Sequence, residues 1–324
     1  MSPKESDPSC IPSSDLPPLS LTAAKTAETT CRCGVVALVG RPNVGKSSLV
    51  NALLGMKVAV VSPKPQTTRN AVRCIYNDDD SQIIFVDTPG LHPPRNKLGR
   101  FLAEEAENAL RAADVVCWLV EAGDRKLWPE DMAVLRALQD LISPTLLLVN
   151  KTDLCDPGPA FELYARHRAF AGELAISTKK RRNLKELIAL LLPLLPEGDP
   201  WYAPDILMDT TERFLASEII RGWVLSSLQD EVPHCVAVEI NEYKSPEDYP
   251  ERRKLYIRAS LIVETPGQKA IVIGAGGRKL KQIGQGARRE LEVLTGWPVY
   301  LDLWVKLSPG WRQSEPVLRR LGYR

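Results

Sequence analysis

One short segment combines two glycines, a lysine and a serine at a spacing that suits phosphate binding. Residues 40–47 read Gly-Arg-Pro-Asn-Val-Gly-Lys-Ser and directly follow the apolar run Val35–Val39. Glycines let the backbone wrap a phosphate with its N–H groups, and a helix that starts there adds positive potential. We expect Lys46 to bridge the outer phosphates of a nucleotide and the Ser47 hydroxyl to bind Mg²⁺. The predicted phosphate-binding residues are Gly40, Arg41, Pro42, Asn43, Val44, Gly45, Lys46, Ser47 and Ser48.

A second polar segment, Asn150-Lys151-Thr152-Asp153, follows the apolar run Leu146–Val149 and indicates which base is bound. Asp153 can accept hydrogen bonds from the N1–H and the 2-amino group of guanine. Asn150 can reach the O6/N7 edge, and the Lys151 stem can lie over the base. Adenine lacks that pair of donors and would leave the carboxylate unmatched, which discriminates strongly. We therefore predict that the nucleotide is GTP or GDP.

A third segment, at the end of the apolar run Ile83–Val86, lies between these two motifs. We expect Asp87 to hold Mg²⁺ through water and the Gly90 N–H to meet the γ-phosphate. One of two threonines earlier in the chain is expected to close on Mg²⁺ when GTP is bound. The predicted switch residues are Thr67 and Thr68 in the first switch and Asp87, Thr88, Pro89, Gly90 and Leu91 in the second, with Ser47, Thr68 and Asp87 around Mg²⁺.

Strands and helices in alternation must position these segments. Short apolar runs are typical of strands buried on both faces of a parallel sheet, and they cover Val35–Val39, Ile83–Val86, Val115–Val120 and Leu146–Val149. The helical patterns between them cover Lys46–Leu54, Lys97–Ala112, Glu130–Leu141 and Ala160–Phe170. This alternation predicts an α/β P-loop domain over residues 34–198, with a mainly parallel sheet and helices on both faces.

The order of elements changes after a segment rich in helix breakers, which we interpret as a linker over residues 199–210. The patterns predict a helix at Thr211–Leu228, strands at His234–Tyr243 and Lys254–Glu264, helices at Gln268–Ile273 and Arg278–Leu294, and a strand at Val299–Leu307. A smaller α+β domain over residues 211–307 follows from this order, with a C-terminal segment over 308–324. Residues 1–33 are rich in Pro, Ser and Thr and are predicted to be a disordered extension.

The composition excludes several classes of protein. The 324 residues include 42 Lys and Arg and 40 Asp and Glu, so the net charge of +2 gives no overall signal for nucleic acid. A hydrophobic content of 44% is that of a globular chain rather than a disordered or fibrous one. The longest apolar run contains Pro193 and is too short for a membrane helix. The seven scattered cysteines do not suit a disulfide framework and fit a reducing cytosol.

A glycine-rich loop in the second domain suits the backbone of single-stranded RNA. Residues 274–277 read Gly-Ala-Gly-Gly, and the surrounding order of helices and strands resembles a type II KH domain, whose GxxG loop clamps RNA. Residues 265–289 carry six basic side chains and no acidic one, which suits a surface that faces phosphates. The predicted RNA-binding residues are Gly274, Ala275, Gly276, Gly277, Arg278, Lys279 and Lys281.

The loop residues between the glycines and one tryptophan of this domain need separate expectations. KH loops usually carry a basic residue between the glycines, where this chain has Ala275 and Gly276. We therefore expect the phosphate contact to shift to Arg278 and Lys279. Trp304 lies on the last predicted strand, and we expect it in the core rather than as a platform for a base.

Longer segments resemble the Era family of bacterial ribosome-assembly GTPases. They include Gly-Arg-Pro-Asn-Val-Gly-Lys-Ser-Ser-Leu-Val-Asn at 40–51, Gln-Thr-Thr-Arg at 66–69 and Asp-Thr-Pro-Gly-Leu-His at 87–92. The resemblance implies a GTP-hydrolysing switch protein that binds the 3′ end of small-subunit (16S) ribosomal RNA and assists maturation of the small ribosomal subunit. It further implies a cytoplasmic monomer with no DNA partner, and as an additional expectation a peripheral association with the inner membrane.

The resemblance also assigns roles to single residues. Thr68 would be the switch threonine, and Ser177 and Thr178 stand where the family has a Ser-Ala pair beside guanine, so Thr178 departs from the pattern. Asn43 corresponds to an asparagine that helps to bind K⁺ in related GTPases; alternatively, it only suits a tight loop. Leu91 stands where Ras-like enzymes carry the glutamine that orients water, so we expect slow intrinsic hydrolysis.

Two other functions stay open at this point. The chain could be an RNA-binding module whose GTPase has little or no turnover, as Leu91 would allow. It could also be a related GTPase that acts in tRNA modification or in assembly of the large ribosomal subunit. The intact nucleotide motifs argue against the first alternative, and the KH-like domain argues against the second.

Overall fold

The computed structural model describes residues 31–61, 64, 67–91 and 96–323. The first domain is built on six strands: β1 Arg32–Val39, β2 Val72–Asp78, β3 Ser81–Asp87, β4 Val115–Glu121, β5 Thr145–Asn150 and β6 Gly172–Ala175. They form one sheet in the order β2-β3-β1-β4-β5-β6, in which β2 is antiparallel to β3 and every other pair is parallel. Parallel strands end at the same edge of the sheet, so the loops that follow β1, β3 and β5 converge there.

Helices cover both faces of this sheet because alternate residues of its strands point to opposite sides. The helices are α1 Lys46–Leu54, α2 Lys97–Arg111, α3 Pro129–Leu138, α4 Gly158–Ala165 and α5 Leu184–Leu191. Val36 of β1 packs with Leu49 of α1 and Leu187 of α5. Trp118 of β4 packs on the other face in a cluster that contains Val134 of α3 and Tyr164 of α4.

The segment between the domains runs along the outer strand β2. The Ile75 N–H donates to the Leu207 carbonyl at 2.9 Å, and the Asp209 N–H donates to the Arg73 carbonyl at 3.1 Å. The Gln82 side-chain oxygen accepts from the backbone N–H groups of Trp201 and Tyr202. The predicted linker is therefore attached to the first domain along its length.

The second domain has the predicted order of elements: α6 Glu212–Ser227, β7 Ala237–Lys244, β8 Leu255–Val263, α7 Pro266–Ile273, α8 Arg278–Thr295 and β9 Val299–Leu307. Its sheet has the order β7-β8-β9, with β8 parallel to β9 and antiparallel to β7. Ile220 of α6 and Ile283 of α8 pack against Ile257 and Leu261 of β8. The helices therefore cover one face of this sheet.

The C-terminal segment joins the two domains. It contains a short turn of helix at Trp311–Gln313 and α9 at Glu315–Arg320. Trp311, Leu318 and Tyr323 form a buried cluster with Leu98 and Leu102 of α2. Apolar side chains of both domains thus share one core.

The fold class predicted from the sequence is confirmed, with corrections in detail. The antiparallel strand β2 and helix α5 were not predicted, and α4 ends at Ala165 rather than at Phe170. Arg32 and Cys33 belong to β1, although they fall in the predicted disordered extension, whose residues 1–30 lie outside the described residues.

The expectation that Trp304 is a core residue is wrong, because its side chain is 62% exposed. It lies on the face of the sheet that α6 and α8 do not cover. Among the described helices, none is long and apolar enough to cross a membrane.

Candidate functional site: a nucleotide cleft and a basic groove

The loop between β1 and α1 requires glycine at both of its ends. Gly40 and Gly45 have φ angles of 143° and 111°, which side chains rarely allow. A Cβ on Gly40 would lie 2.3 Å from the Leu119 carbonyl oxygen, and a Cβ on Gly45 would lie 2.2 Å from the Asn150 amide nitrogen. Both glycines are therefore required by close packing as well as by conformation.

Lys46 begins α1 and lies inside this loop. Its Nζ donates to the carbonyl oxygens of Gly40 at 2.7 Å and of Arg41 at 3.1 Å. Burial lowers the pKa of Lys46 to about 8, while the nearby charge of Asp87 acts in the opposite direction. The ammonium group is thus poorly compensated, and anionic phosphate oxygens would stabilise it.

Three oxygen-bearing side chains meet beside Lys46, as the sequence analysis expected for Mg²⁺. The Ser47 hydroxyl and the Thr68 hydroxyl donate to Asp87 Oδ2 at 2.6 and 3.0 Å, and the two hydroxyl oxygens are 3.2 Å apart. Burial raises the pKa of Asp87, against the effect of Lys46. Thr67 instead donates its hydroxyl to the Lys64 carbonyl at 2.8 Å, so Thr68 is the threonine of this cluster.

The cluster fits Mg²⁺ by its chemistry. Its donors are hydroxyl and carboxylate oxygens, the ligands that a hard divalent cation prefers. Asp87 Oδ1 is buried and accepts no hydrogen bond within the described residues, so it is available to a cation or to a water bound to one. No group of three His, Cys, Asp or Glu residues there could hold a metal ion alone, so phosphate oxygens and water would complete the ligand set.

The loop after β5 places the predicted guanine-binding carboxylate at the end of the sheet. Ser177 Oγ donates to Asp153 Oδ1 at 2.6 Å, and this hydrogen bond holds the pKa of Asp153 below its usual range. Lys151 Nζ lies 2.6 Å from Glu121, and its φ of 64° is left-handed. Asp153 is therefore an anionic acceptor at physiological pH, as recognition of the guanine N1–H and 2-amino groups requires.

Asn150 has a positioning role that the sequence analysis did not anticipate. Its amide nitrogen donates to the Val44 carbonyl at 2.8 Å and contacts Thr178 Oγ1 at 3.3 Å. Its amide oxygen accepts from the Thr178 N–H at 3.1 Å, so the Thr178 backbone is held by Asn150. Asn150 is fully buried and ties the phosphate loop to both base-binding loops. A direct contact with guanine stays a prediction.

The Arg41 side chain has a role that was not predicted. Its guanidinium forms two hydrogen bonds with the Asp124 carboxylate, at 2.7 and 2.8 Å, and lies 5.6 Å from the centre of the Trp128 ring. Asp131, which is fully buried, lies 3.5 Å from it. The Arg41 side chain therefore anchors the loop to the protein, and only the Arg41 backbone is left to bind phosphate.

These loops border a cleft of about 390 Å³. Pro42, Asn43, Ser48 and Gly90 line it together with Lys46, Ser47 and Thr68. Val60 and Val61 also line the cleft, and neither was predicted because an apolar pair between a helical pattern and a strand pattern carries no signal for a ligand. Leu91 is buried in the core beside Trp118 rather than in the cleft.

A second groove, of about 510 Å³, lies between α8 and β9. It is lined by Gly277, Leu280, Lys281, Gly284, Arg288 and Tyr300, among others. Gly274, Gly276 and Gly277 have φ angles of 71°, 57° and 78°, so the loop before α8 needs glycine at these positions. Arg278 and Lys281 are exposed at the start of α8. Gly284 and Tyr300 were not predicted, because only the packing of α8 beside β9 brings them to the groove.

Comparison with known proteins agrees with this arrangement. The family model described as "50S ribosome-binding GTPase" matches residues 35–151, and the one described as "KH domain" matches residues 231–312. The chain is 42% identical over 295 residues to the GTPase Era of Caldicellulosiruptor saccharolyticus, covering 90% of this chain and 97% of that protein. It is 44% identical over 293 residues to the GTPase Era of Lacticaseibacillus paracasei, covering 90% and 96%.

Two solved structures match both domains together. One is Era in complex with MgGDPNP and nucleotides 1506–1542 of 16S ribosomal RNA, with a TM-score of 0.85, 38% identity and coverage of 90% of this chain and 99% of that chain. The other is a variant of Aquifex aeolicus Era bound to GDP·AlF4⁻, with a TM-score of 0.84, 39% identity and the same coverage of both chains. At this identity and coverage, the chain belongs to the Era family of GTPases.

Proposed function

We propose that this GTPase binds the 3′ end of small-subunit ribosomal RNA and assists maturation of the small ribosomal subunit, with GTP hydrolysis timing its release. The observation that carries the proposal is the basic α8–β9 groove, which shares a chain with a complete nucleotide cleft. The related Era structure with nucleotides 1506–1542 of 16S ribosomal RNA supports it. Large-subunit assembly is supported only by the description of the family model that matches residues 35–151, which lie outside the groove, and tRNA modification has no such support.

The cleft residues have separable roles in the hydrolysis of GTP. Lys46 would hold the β- and γ-phosphates, and Asp153 would select guanine. Ser47, Thr68 and Asp87 would hold Mg²⁺, which when bound offsets the negative charge of the phosphates. The Gly90 N–H would meet the γ-phosphate, so that the second switch senses whether this group is present.

The slow intrinsic rate that we propose has a structural cause. Leu91 is apolar and buried, so it offers no group that could orient the attacking water. The chain must therefore use its backbone, a bound cation or an RNA or protein partner. Asn43 lines the cleft and could supply an oxygen ligand to K⁺, while its φ of 66° also fits the alternative of a tight loop.

A comparison of monovalent cations tests Asn43. If this residue helps to hold K⁺, single-turnover GTP hydrolysis will be at least about tenfold faster in KCl than in NaCl, because a cation at the phosphates stabilises the charge of the transition state. The variant Asn43→Ala will lose that difference but keep binding GDP. Equal rates in the two salts would remove K⁺ from the proposal. Detectable turnover in either salt would exclude a protein that only binds RNA.

Reversal of charge at the start of α8 tests the RNA groove. Arg278→Glu and Lys281→Glu should each weaken binding of a 16S 3′-end RNA by about tenfold, because each loses a phosphate contact and adds a repulsion. GTP affinity should stay unchanged, since both residues lie outside the nucleotide cleft. Lys185→Glu, on α5 of the first domain, is a matched control. RNA affinity that the α8 variants leave unaffected would place the RNA on another surface.

Three further expectations belong to this proposal. A role on the ribosomal small subunit fits a cytoplasmic protein that acts as a monomer without a DNA partner. Peripheral association with the inner membrane stays a prediction. The domain limits also stay predictions, and the two separate sheets, one ending at Ala175 and the other beginning at Ala237, support a division between them.

A further inference from the structure

The sheet of the second domain carries exposed aromatic side chains on the face that α6 and α8 leave uncovered. Tyr256 of β8 and Tyr300 of β9 are cross-strand neighbours, and their rings stack with centroids 5.7 Å apart at an angle of 11°. Farther along β9 on the same face, Trp304 is 62% exposed, and Tyr300 is 59% exposed. Aromatic rings that lie open on a sheet are characteristic of a binding surface rather than of a core.

Cationic groups lie close to the Tyr256 ring. Lys244 Nζ and the guanidinium carbons of Arg252 and Arg258 lie 5.8, 5.7 and 5.7 Å from the centre of the Tyr256 ring. Arg258 is also held by Asp302, with a hydrogen bond of 3.1 Å. Glu242 pairs with Lys244 at 2.6 Å and with Arg258 at 2.7 Å, so this cluster holds carboxylates as well as cations. Flat rings beside basic side chains provide what single-stranded RNA needs, namely a stacking partner for bases and hydrogen-bond donors for phosphates.

We propose that Tyr256, Tyr300 and Trp304 form an aromatic face that binds unpaired bases of an RNA whose neighbouring nucleotides lie in the α8–β9 groove. Tyr300 also lines that groove, so the two surfaces are continuous at the edge strand β9. The inference rests on the proposed function because it needs RNA in the groove, but it assigns a second and separate surface.

The aromatic face has a defined length. From Tyr300 to Trp304 the strand rises about 13 Å, which is room for about three nucleotides of an extended chain. Beyond Trp304 the C-terminal segment closes the face, because Arg320 pairs with Glu239 at 2.8 Å and Ile262 is buried in the cluster around Trp311. RNA is favoured over an apolar protein surface because such a surface would take the ion pairs of Lys244 and Arg258 with Glu242 out of water, which costs free energy.

The test compares full-length protein binding to a four-nucleotide RNA, which suits the groove, with the same RNA lengthened by about three unpaired nucleotides at either end. Fluorescence anisotropy should show about tenfold tighter binding of one lengthened RNA, the effect expected of base–aromatic stacking. Trp304→Ala should lose this gain and keep its affinity for the short RNA. Trp201→Ala, which removes a side chain that is 60% exposed in the linker, is the matched control and should keep the gain.

Three results would overturn the aromatic face. The first is equal affinity of the wild-type protein for the short and the lengthened RNAs. The second is a gain in affinity that survives Trp304→Ala, and the third is a gain in affinity that persists after a complementary strand pairs the added nucleotides. A partner other than RNA on this face would give the first result. If wild type fails to bind the short RNA but binds a lengthened one through Trp304, the groove is wrong and the aromatic face stands.

Discussion

Single side chains in the nucleotide cleft connect loops that are distant in the sequence. Asn150 joins the loop after β5 to the phosphate loop through the Val44 carbonyl. Asp87 of the second switch contacts Thr68 of the first switch and Ser47 of the phosphate loop. Such buried contacts are costly to leave half-made, so the loss of one partner disturbs the others. The cleft therefore depends on side chains that bind its loops together as well as on those that face the nucleotide.

Lys46 gives a prediction about protons. Its pKa of about 8 in the protein without nucleotide means that half of the molecules carry a neutral amine at pH 8. Phosphates favour the ammonium form, so binding of GDP at pH 8 should take up about half a proton per site, with the affinity falling as the pH rises further. Calorimetric titrations in buffers of different ionisation enthalpy measure this uptake directly.

The control for this measurement is the same titration at pH 7. There Lys46 is already about nine-tenths charged, so its contribution to proton uptake should be about a fifth of that at pH 8. Titrations at pH 8 in which no proton is taken up would show that the lysine is fully charged before the nucleotide binds.

At the scale of elements, the first switch is connected directly to the second domain. Arg69 follows Thr68 and is 1% exposed. Its guanidinium donates to the carbonyl oxygens of Val236 at 2.8 Å and His234 at 2.9 Å, and lies 5.9 Å from the Trp311 ring centre. A movement of the switch that follows Thr68 would therefore pull on the segment that leads into β7.

Removing the guanidinium tests this connection. Arg69→Met keeps most of the side-chain volume but leaves two carbonyl oxygens without their donor, so the free energy of unfolding should fall by about 2–4 kcal/mol. The difference in amide exchange between the GTP-analogue and GDP states should disappear over residues 232–238. Arg73→Met, an exposed change on β2, should shift stability by no more than about 0.5 kcal/mol and preserve that difference.

Most elements could be predicted from the sequence because their apolar periodicity survives in the fold. The strand Val299–Leu307 has the predicted bounds, whereas β2 was missed because it is an outer strand with Arg73 and Asn77 among its apolar residues. The motif residues of the cleft were found because phosphate binding fixes their spacing. The place of Val60 in the cleft and the inward direction of the Arg41 side chain could not be predicted, because both depend on contacts between segments far apart in the chain.

At the scale of the whole molecule, the two domains share apolar packing and polar contacts. A Cβ on Gly222 of α6 would lie 2.9 Å from the Val60 side chain, and Lys57 pairs with Glu290 of α8 at 2.7 Å. Trp311 is fully buried between the domains and donates its Nε1–H to the Cys235 carbonyl at 3.0 Å. We therefore expect the domains to unfold together.

Truncation of Trp311 tests this cooperativity. Trp311→Ala should lower the free energy of unfolding by about 3–5 kcal/mol, because it leaves a cavity and an unpaired carbonyl. Thermal unfolding should then separate into two transitions. GDP should raise the midpoint temperature of the first domain's transition only. The wild-type protein should show a single transition, and GDP should raise its midpoint temperature. Two transitions in the wild-type protein would contradict the shared core. Trp297→Ala, which truncates a partly exposed side chain, is the control and should leave a single transition.

The linker that runs along β2 has a consequence for the newly made chain. An outer strand with unpaired backbone groups is a template on which other chains can assemble. In this protein the linker covers part of that edge, because Ile75 of β2 hydrogen-bonds to the linker and Asp209 of the linker hydrogen-bonds to β2. During synthesis the first domain leaves the ribosome before residues 204–209 do, so its edge is exposed until they follow. A chain that ends at residue 198 should therefore aggregate on refolding, whereas one that ends at residue 210 should not.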